Sequence, residues 1–330
     1  MNFKSLSMEE LCNRLCQARH PVIVMHCRPD GDTLGSGIAL AKIFEKMGKK
    51  AICICADRIP KRLEFMCDGY LFDNYTITSS NTVITVDVAS LDQLGGLKEG
   101  LTPSFMIDHH ETGSPFADHF TVPDASACGE IIYDIARTLI SMQKIDKIDP
   151  SIASSIYAAI SSDTGCFKYA NVSPKTHRAA ARLLEMGAKA DEINHLLFDS
   201  KDIKQLKAEA IALSNIEIFD EGRLAVTTIR DKEKTDAGIE SEYFETAIDI
   251  VRSVAGVEIA ATIKENSKGE FRVSLRSTGR NVAEIAALLG GGGHPRAAGC
   301  TIAAENMDEA KKKLLSLILP HPIDFKGPLL

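Results

Sequence analysis

Short apolar runs alternate with longer stretches of helical periodicity in the first half of the chain. Residues 31–48, 129–142 and 151–162 carry apolar side chains at helical spacing. Four shorter runs have the length and β-branched content of buried strands, at residues 21–26, 49–56, 81–87 and 104–108. This alternation predicts an α/β domain with a parallel sheet and helices on both faces, in which sites form at the carboxyl ends of the strands.

The second half of the chain has a different pattern. Residues 191–219 contain neither Gly nor Pro, look continuously helical and predict a connector. The apolar runs "GRLAVTTI", "VEIAATIKE" and "FRVSLRS" then follow in close succession, with helices near 240–253 and 305–318, which predicts a smaller α/β domain with helices on one side of its sheet. We therefore expect a first domain, a helical connector, a second domain and a tail, at residues 1–190, 191–220, 221–320 and 321–330.

The composition is that of an ordinary globular protein, with 45% hydrophobic and 25% charged residues. A length of 330 residues exceeds what one compact core commonly uses, which agrees with two domains. The nine cysteines are odd in number and form no C-x-x-C pairs, so we interpret them as reduced thiols rather than as zinc ligands or disulfides. The N-terminus has no export pattern, and no apolar stretch approaches about 18 residues. We expect a cytoplasmic protein without a membrane partner.

The net charge of −7 argues against a protein that follows long nucleic acids, because such binding needs many cations facing the phosphates. The chain also contains no Trp and only 6% aromatic residues, whereas tracks for single strands use stacked aromatic side chains. Any binding of phosphates should therefore occur at a few local points.

Acidic and histidine side chains follow the first predicted strand. His26 ends this strand, and Asp30 and Asp32 lie on the loop before the next helix, where glycines let the backbone bend. A D-x-D pair alone is a weak signal, and Asp32 has the alternative of capping the helix N-terminus. The histidine at the strand end favours instead a point at which metal ligands gather.

Two other strands also end in such side chains. Asp87 closes "VITVD", and Asp108, His109 and His110 close "FMIDHH". A polar turn after a strand explains either one by itself. Asp163 lies at the C-terminal end of an apolar helix, where a carboxylate faces the negative end of the helix dipole and a nearby cation would remove the penalty. The convergence of several such ends is harder to explain by turns and predicts a metal site.

The candidate ligands combine carboxylates with imidazoles and include no cysteine. Such a set suits Mn²⁺ or Mg²⁺ better than structural zinc. Six ligands exceed what one open catalytic ion needs, and a pair of ions about 3.5 to 4 Å apart is the arrangement that attacks phosphate esters and anhydrides. The six candidates are His26, Asp30, Asp32, Asp87, His109 and Asp163, with Asp108 and His110 in reserve.

With these candidate ligands in this order, the sequence resembles the DHH phosphoesterase superfamily. The segments "HCRPDGDTLGS", "VDVAS", "DHH" and "SDTG" stand in the order of the four motifs of that family, and "GGGGHPRAAG" resembles the signature of its DHH-associated C-terminal domain. Each motif is weak alone, but the five occur in order and cover most of the chain.

The resemblance implies two divalent ions, with Mn²⁺ the first choice and Mg²⁺ or Co²⁺ as alternatives. It implies that Asp108 orients a neighbouring histidine and that His110 contacts the scissile phosphate or the leaving oxygen. It also implies that Asp87 bridges the two ions and is itself catalytic. The remaining ligands would be His26 and Asp30 for one ion, and Asp32, His109 and Asp163 for the other.

The glycine-rich motif near the C-terminus has a physical interpretation of its own. Consecutive glycines, Gly290 to Gly293, expose N–H groups that can form a nest for anions, and nearby side chains add donors. A flexible linker is the alternative, but the run is flanked by an apolar helix and an apolar strand. In the family this module closes over the first domain, which implies an active site in the cleft between them. The predicted substrate-binding residues are Arg276, Ser277, Gly291, Gly292, Gly293, His294 and Arg296.

The two-domain layout most resembles the NrnA-type enzymes of this family. They degrade very short oligoribonucleotides and dephosphorylate 3'-phosphoadenosine 5'-phosphate (pAp). Alternatives are a phosphodiesterase for linear or cyclic dinucleotides (pApA, c-di-AMP), an exopolyphosphatase or pyrophosphatase, and a non-catalytic nucleotide sensor. The expected partners are short RNA and phosphorylated nucleotides as substrates, without a track for long DNA, and a homodimer is possible.

Overall fold

The protein is described by a computed structural model that covers residues 3–67, 69–71, 75–111, 113–267 and 269–319. The chain separates into two compact units between Ser200 and Lys201. We call these the N-terminal unit and the C-terminal unit. The tail predicted at 321–330 lies outside the described residues.

The N-terminal unit is built on a five-stranded sheet of order β2-β1-β3-β4-β5, in which every described pair is parallel. This confirms the predicted parallel sheet. Because β1 lies between β2 and β3, the chain reverses its direction of travel across the sheet at the β1–β3 pair, which is where α/β proteins place their sites. The strands are β1 (Val22–Val24), β2 (Ile52–Ile54), β3 (Val83–Val86), β4 (Phe105–Asp108) and β5 (His119–Thr121).

The two faces of this sheet are covered differently. One face carries Ile23, Ile84 and Phe105 into a large core made with the α-helices of the unit. The other face carries Val22 and Val24 against Leu94 of a short 3₁₀ helix, Leu91–Leu97, and against loop residues. The α-helices are α1 (Met8–Gln17), α2 (Gly31–Lys46), α3 (Cys128–Ser141), α4 (Pro150–Asp163), α5 (Pro174–Glu185) and the short α6 (Ala190–Asn194).

Helices α2 and α4 approach each other closely because the sequence provides glycine at the contact. A Cβ atom on Gly35 would lie 2.6 Å from the Ser155 carbonyl oxygen and 2.8 Å from the Ala159 nitrogen, which no real Cβ tolerates. Gly129 at the start of α3 meets the Ala159 Cβ in the same way. This packing fixes the N-terminal ends of α2 and α3 beside the C-terminal end of α4.

The prediction of one continuous helix over residues 191–219 is wrong. Helix α6 continues as a π-helical turn to Asp199, and the helix then breaks. Asp202 starts a new helix, α7 (Ile203–Ser214), because its carboxylate accepts the N–H of Gln205 at 2.8 Å. Residues Ile216–Phe219 then form strand β6, in agreement with the alternating pattern of "IEIF".

The C-terminal unit contains a six-stranded sheet of order β10-β11-β9-β8-β7-β6. The pair β7–β8 is parallel and the other described pairs are antiparallel. The remaining strands are β7 (Leu224–Ile229), β8 (Ile259–Ser267), β9 (Glu270–Ser277), β10 (Gly292–His294) and β11 (Ala297–Ala303).

Helices cover both faces of this second sheet, so the prediction of helices on one side is wrong. Val226 and Ile263 face α10 and α11, whereas Ala225 and Ala260 face Val251 of α9 on the other side. Small alanines on the second face let that helix lie close, and they weaken the alternation that would have revealed it. The helices of this unit after α7 are α8 (Asp231–Ala237), α9 (Ala247–Arg252), α10 (Val282–Leu288) and α11 (Met307–Ile318).

Candidate metal centre

Six acid and histidine side chains from separate parts of the sequence meet at the carboxyl edge of the first sheet. They come from the segments after β1, β3 and β4, from the start of α2 and from the last residue of α4. The structure thus brings together all six candidates predicted from the sequence. We call them the acid–histidine cluster: His26, Asp30, Asp32, Asp87, His109 and Asp163.

Asp87 occupies the middle of this cluster. Its Oδ2 atom lies 3.5 Å from Nε2 of His26, and its Oδ1 atom lies 3.4 Å from Nε2 of His109. The side chain is almost fully buried, and Oδ1 has no hydrogen-bond partner among the described residues. Buried carboxylate oxygens without partners are rare, because their desolvation is not repaid. The carboxylate of Asp87 therefore offers one oxygen to each of two neighbouring ligand groups.

These two ligand groups are distinct in space. Around His26, the Asp30 carboxylate lies 3.6 Å from Nε2. Around His109, the carboxylates of Asp32 and Asp163 lie 3.7 and 3.9 Å from Nε2. Such separations exceed good hydrogen-bond lengths. They are close to the spacing of about 3 Å or slightly more between adjacent ligands of one ion bound at about 2.1 Å. Each group therefore fits a divalent cation.

Backbone carbonyls orient both imidazoles toward the carboxylates. Nδ1 of His26 lies 2.8 Å from the Cys27 carbonyl oxygen, and Nδ1 of His109 lies 3.2 Å from the Ala125 carbonyl oxygen. When the proton resides on Nδ1, each ring donates to its carbonyl and leaves the Nε2 lone pair free to bind a metal. The chain therefore prepares both rings as metal ligands.

The two aspartates at the start of α2 have different tasks. Asp30 is the N-cap, because its Oδ1 accepts the N–H groups of Asp32 and Thr33, each at 3.0 Å. The alternative assignment of Asp32 as the cap is therefore wrong. Asp32 is buried, and it accepts the N–H groups of Cys128 at 2.6 Å and Gly129 at 3.0 Å. The start of α3 thus holds Asp32 in place.

The charges of the cluster shift the pKa values strongly. Burial opposes protonation of both imidazoles, but the surrounding carboxylates raise the pKa of His26 to about 11 and that of His109 to about 10. Burial raises the pKa of Asp163 to about 6, although His109 opposes this. Burial and the charge of Asp87 raise the pKa of Asp32. So many carboxylates in one place require positive charge, from protons or from metal ions.

A second histidine lies beside the cluster. Nδ1 of His110 is 2.7 Å from Oδ1 of the buried Asp108, and 3.8 Å from Oδ1 of Asp87. The Asp108 carboxylate raises the pKa of His110, although partial burial opposes protonation. The neighbouring histidine to which Asp108 binds is therefore His110, which remains partly exposed.

The candidate phosphate-binding residues of the C-terminal unit gather at one end of β9. The β9–β11 pairing places Arg276 opposite Ala297, and the N–H of Ser277 donates to the carbonyl of Arg296 at 3.0 Å. Arg276 is half-buried, whereas His294 and Arg296 are exposed around the β10–β11 turn. The two arginines therefore lie on adjacent backbone segments.

The first two glycines of the run do not contribute N–H groups to the predicted anion nest. The N–H of Gly290 donates to the Ala287 carbonyl at 3.0 Å, and the N–H of Gly291 donates to the Ala286 carbonyl at 2.8 Å. Both close the end of α10 and are not available to an anion. Gly292, Gly293 and His294 form β10, which also excludes a flexible linker. A Cβ on Gly293 would lie 2.5 Å from the Ala297 carbonyl, so close strand approach explains the glycine there.

One supporting residue was not anticipated. The side-chain amide of Asn171 donates to the backbone carbonyls of Ser126 and Asp163, at 2.8 and 3.1 Å. It thereby ties the end of α4 to the segment before α3. No sequence pattern identifies this asparagine, because its partners are backbone atoms of distant segments.

No helix in the described ranges is long and apolar enough to cross a membrane.

A carboxylate that faces two histidine–carboxylate groups at the carboxyl edge of a parallel sheet is an arrangement that suits a metal-dependent phosphoesterase. The DHH family, N-terminal domain, matches residues 21–160, and the DHHA1 domain matches residues 221–319. The chain belongs to the DHH family and, like the phosphoesterases of that family, is a hydrolase.

Three similar proteins place the chain more closely. The bifunctional oligoribonuclease and PAP phosphatase NrnA of Thermus thermophilus is 31% identical, over 90% of this chain and 88% of that protein. The cyclic-di-AMP phosphodiesterase PdeA of Listeria monocytogenes is 25% identical over 95% of this chain, but this match spans only 49% of that protein. The crystal structure of an exopolyphosphatase-related protein from Bacteroides fragilis shares the fold, with a TM-score of 0.86 at 23% identity, covering 94% of this chain and 95% of that one.

Proposed function

We propose that the protein is a dinuclear-metal phosphoesterase that hydrolyses short oligoribonucleotides to mononucleotides and removes phosphate from pAp. The observation that carries this proposal is the position of Asp87, whose two carboxylate oxygens face two separate histidine–carboxylate groups. The similarity to NrnA over 90% of the chain supports the choice of substrate.

We assign the acid–histidine cluster to two ions, with Mn²⁺ the first choice and Mg²⁺ or Co²⁺ as alternatives. His26 and Asp30 would hold one ion, and Asp87 would contribute a carboxylate oxygen to each of the two. The geometry favours this division, because each imidazole has its own carboxylates within 4.0 Å. Carboxylate oxygens with some imidazole are suitable donors for these metals. The ligands of the other ion are Asp32, His109 and Asp163.

Bound ions at this place supply a metal-activated water and neutralise charge on the phosphate. The protein contributes the proton for the leaving oxygen. His110 has a raised pKa, because its Nδ1–H is held by Asp108. The Asp108 carboxylate thus favours the protonated ring, whose Nε2–H would donate to the leaving oxygen or to the phosphate as a general acid. Asp108 acts as a positioning residue for this ring.

We further propose that Arg276, Ser277, Arg296 and His294 hold a second phosphate group of the substrate. Two arginines on adjacent backbone segments, Arg276 on β9 and Arg296 in the β10–β11 turn, suit the binding of a single phosphate group. Replacement of Arg276 by Ala should raise KM for a 5'-phosphorylated dinucleotide by at least tenfold and change KM for bis-p-nitrophenyl phosphate little. Equal changes for both substrates would contradict this role.

A phosphodiesterase for linear or cyclic dinucleotides is the second candidate, supported by the similarity to PdeA. A single comparison separates the candidates. The purified protein with Mn²⁺ is offered pAp, pApA, a five-nucleotide RNA, c-di-AMP and pyrophosphate at equal concentration. The proposal predicts fastest turnover of pAp and short RNA. Preference for c-di-AMP would favour the second candidate, and tight binding of nucleotides without turnover would indicate a sensor.

We also place the protein in the cytosol, because its nine cysteines form no disulfide.

A further inference from the structure

A groove of about 230 Å³ with several charged side chains in its lining lies between helices α3 and α5 of the N-terminal unit, and no member of the acid–histidine cluster lines it. Its lining contains four cationic side chains and two carboxylates, although the whole chain carries a net charge of −7. The groove is therefore locally positive. The charged lining residues are Arg137, Lys175, Arg178 and Arg182, with Glu130 and Asp134.

The arginines of the groove are available to a ligand. In the part of the chain that the structure describes, no carboxylate lies within 4.0 Å of the exposed Arg178 guanidinium. Arg182 pairs with Glu185 at 2.6 Å, but both side chains are more than 60% exposed. Exposed ion pairs of this kind contribute little to stability, so an anion of higher charge can replace the glutamate. The groove thus offers two free or exchangeable guanidinium groups on one helix.

Glu130 is the unusual member of the lining, because it is fully buried. Its Oε1 accepts the hydroxyl of Ser126 at 2.7 Å. Its Oε2 has no hydrogen-bond partner among the described residues, and the Lys175 ammonium lies 4.0 Å away. A buried carboxylate oxygen without a partner is costly. A hydroxyl or amino group that enters the groove would supply the missing hydrogen bond.

We propose that the α3–α5 groove binds a small ligand that carries both a phosphate group and a hydrogen-bond donor. Arg178 and Arg182 hold the phosphate, and Glu130 accepts the donor. The volume lies below the range of about 300 to 1,000 Å³ that is typical of drug-sized ligands, which favours a small occupant. Inorganic phosphate as its monohydrogen form, a sugar phosphate and a nucleoside 5'-monophosphate share the required chemistry.

The position of Glu130 connects this groove with the metal centre. Ser126, which donates to Glu130, has its carbonyl bound by Asn171, which also binds the carbonyl of Asp163. The segment continues to Cys128 and Gly129, whose N–H groups hold Asp32. A ligand that fixes Glu130 therefore acts on a segment that supports two residues of the acid–histidine cluster, so occupancy of the groove should change the hydrolytic rate.

Isothermal titration of the full-length protein tests the site. The probes are inorganic phosphate, ribose 5-phosphate and AMP, each titrated in the presence of Mn²⁺. The double variant Arg178→Ala, Arg182→Ala should bind one molecule fewer per chain than the wild type, and the control Lys147→Ala, at an exposed position outside the groove, should match the wild type. The three probes identify which phosphorylated compound fits best.

Equal stoichiometry in the wild type and the double variant would overturn the proposal, as would the absence of binding by all three probes. Glu130→Gln should weaken binding of the best probe at least tenfold, and unchanged affinity would overturn the role of Glu130. AMP and phosphate are also products of pAp hydrolysis and can inhibit at the metal centre of both proteins, so the effect of the groove is a difference between them: the change that the best probe causes in the hydrolysis of bis-p-nitrophenyl phosphate should differ at least twofold between the wild type and the double variant. The titrations do not require turnover, so their failure is distinguishable from failure of the proposed function.

Discussion

The Nδ1 atom of His110 lies 2.7 Å from Oδ1 of Asp108, the buried last residue of β4. The imidazole is thus fixed at the edge of the acid–histidine cluster with its other nitrogen available. The hydrogen bond favours the protonated ring and raises its pKa. The Asp108–His110 pair therefore suits proton donation. His109, which lies between these two residues in the sequence, instead faces three carboxylates of the cluster.

His110→Ala should lower kcat by about a hundredfold or more, because a general acid contributes about 10² to 10⁴. The bound metal, measured by elemental analysis, should remain as in the wild type. Asp108→Asn should move the descending limb of the pH–rate profile to lower pH, because loss of the carboxylate removes the cause of the raised pKa of His110. An unchanged kcat in His110→Ala would exclude His110 from catalysis.

Metal binding should depend steeply on pH. In the metal-free protein the pKa of His26 is raised to about 11 and that of His109 to about 10, so both imidazoles are protonated at pH 7. A metal ion must displace these protons, and its apparent affinity should therefore rise by about tenfold or more per pH unit from pH 7 to 9. Titration with Mn²⁺ in buffers of different ionisation enthalpy measures the proton release. Affinity independent of pH, without proton release, would contradict this expectation.

The N-cap of α4 should contribute to stability. Asp149 accepts the N–H groups of Ser151 and Ile152, each at 3.0 Å, and pairs with Lys46 at 2.9 Å. Asp149→Ala should lower the free energy of unfolding by about 1 kcal/mol at pH 7, as measured by urea denaturation. The exposed neighbour Asp146 is the matched control, and Asp146→Ala should have a smaller effect.

The pH dependence of this contribution has a definite sign. Partial burial opposes ionisation of Asp149, but the Ile152 N–H and the Lys46 ammonium lower its pKa below 3.8. A carboxyl group whose pKa is lowered in the folded state stabilises that state at pH values above the pKa of the unfolded chain. The difference between the wild type and Asp149→Ala should therefore be constant above about pH 5 and shrink as the pH falls through the lowered pKa. A difference that grows at acidic pH would contradict the assignment.

The close contact of α2 with α4 should be sensitive to a single methyl group. Gly35→Ala places a Cβ 2.6 Å from the Ser155 carbonyl oxygen and should cost about 1 to 3 kcal/mol of stability. It should also weaken Mn²⁺ binding, because Asp32 lies in the first turn of α2 and Asp163 is the last residue of α4. Gly96→Ala, where the new Cβ meets no atom within 4 Å, is the control and should be nearly neutral. Equal stability of the two variants would contradict the packing role of Gly35.

The sequence predicted the parallel sheet and the ligand cluster because several signals, each weak alone, agree with one another. Apolar runs that end in Asp or His indicate strand ends, and parallel strands bring those ends together, as Asp87 and His109 show. The break in the helix before Asp202 was not predicted, because an aspartate inside a helical pattern does not show by itself that it caps a new helix. The hydrogen bonds of the Gly290 and Gly291 N–H groups were not predicted either, because they depend on where α10 ends, and the composition of the glycine run does not show this.

Phosphate release from pAp in the presence of Mn²⁺, by the wild type and by Asp87→Asn, tests the central claim most directly. Asparagine keeps the shape of the side chain and one acceptor oxygen, but it removes the negative charge that faces both imidazoles. A dinuclear centre bridged by Asp87 predicts metal-dependent release by the wild type and a loss of at least a thousandfold in the folded variant, because the centre supplies both the activated water and charge neutralisation. Release by Asp87→Asn at the rate of the wild type would contradict the account.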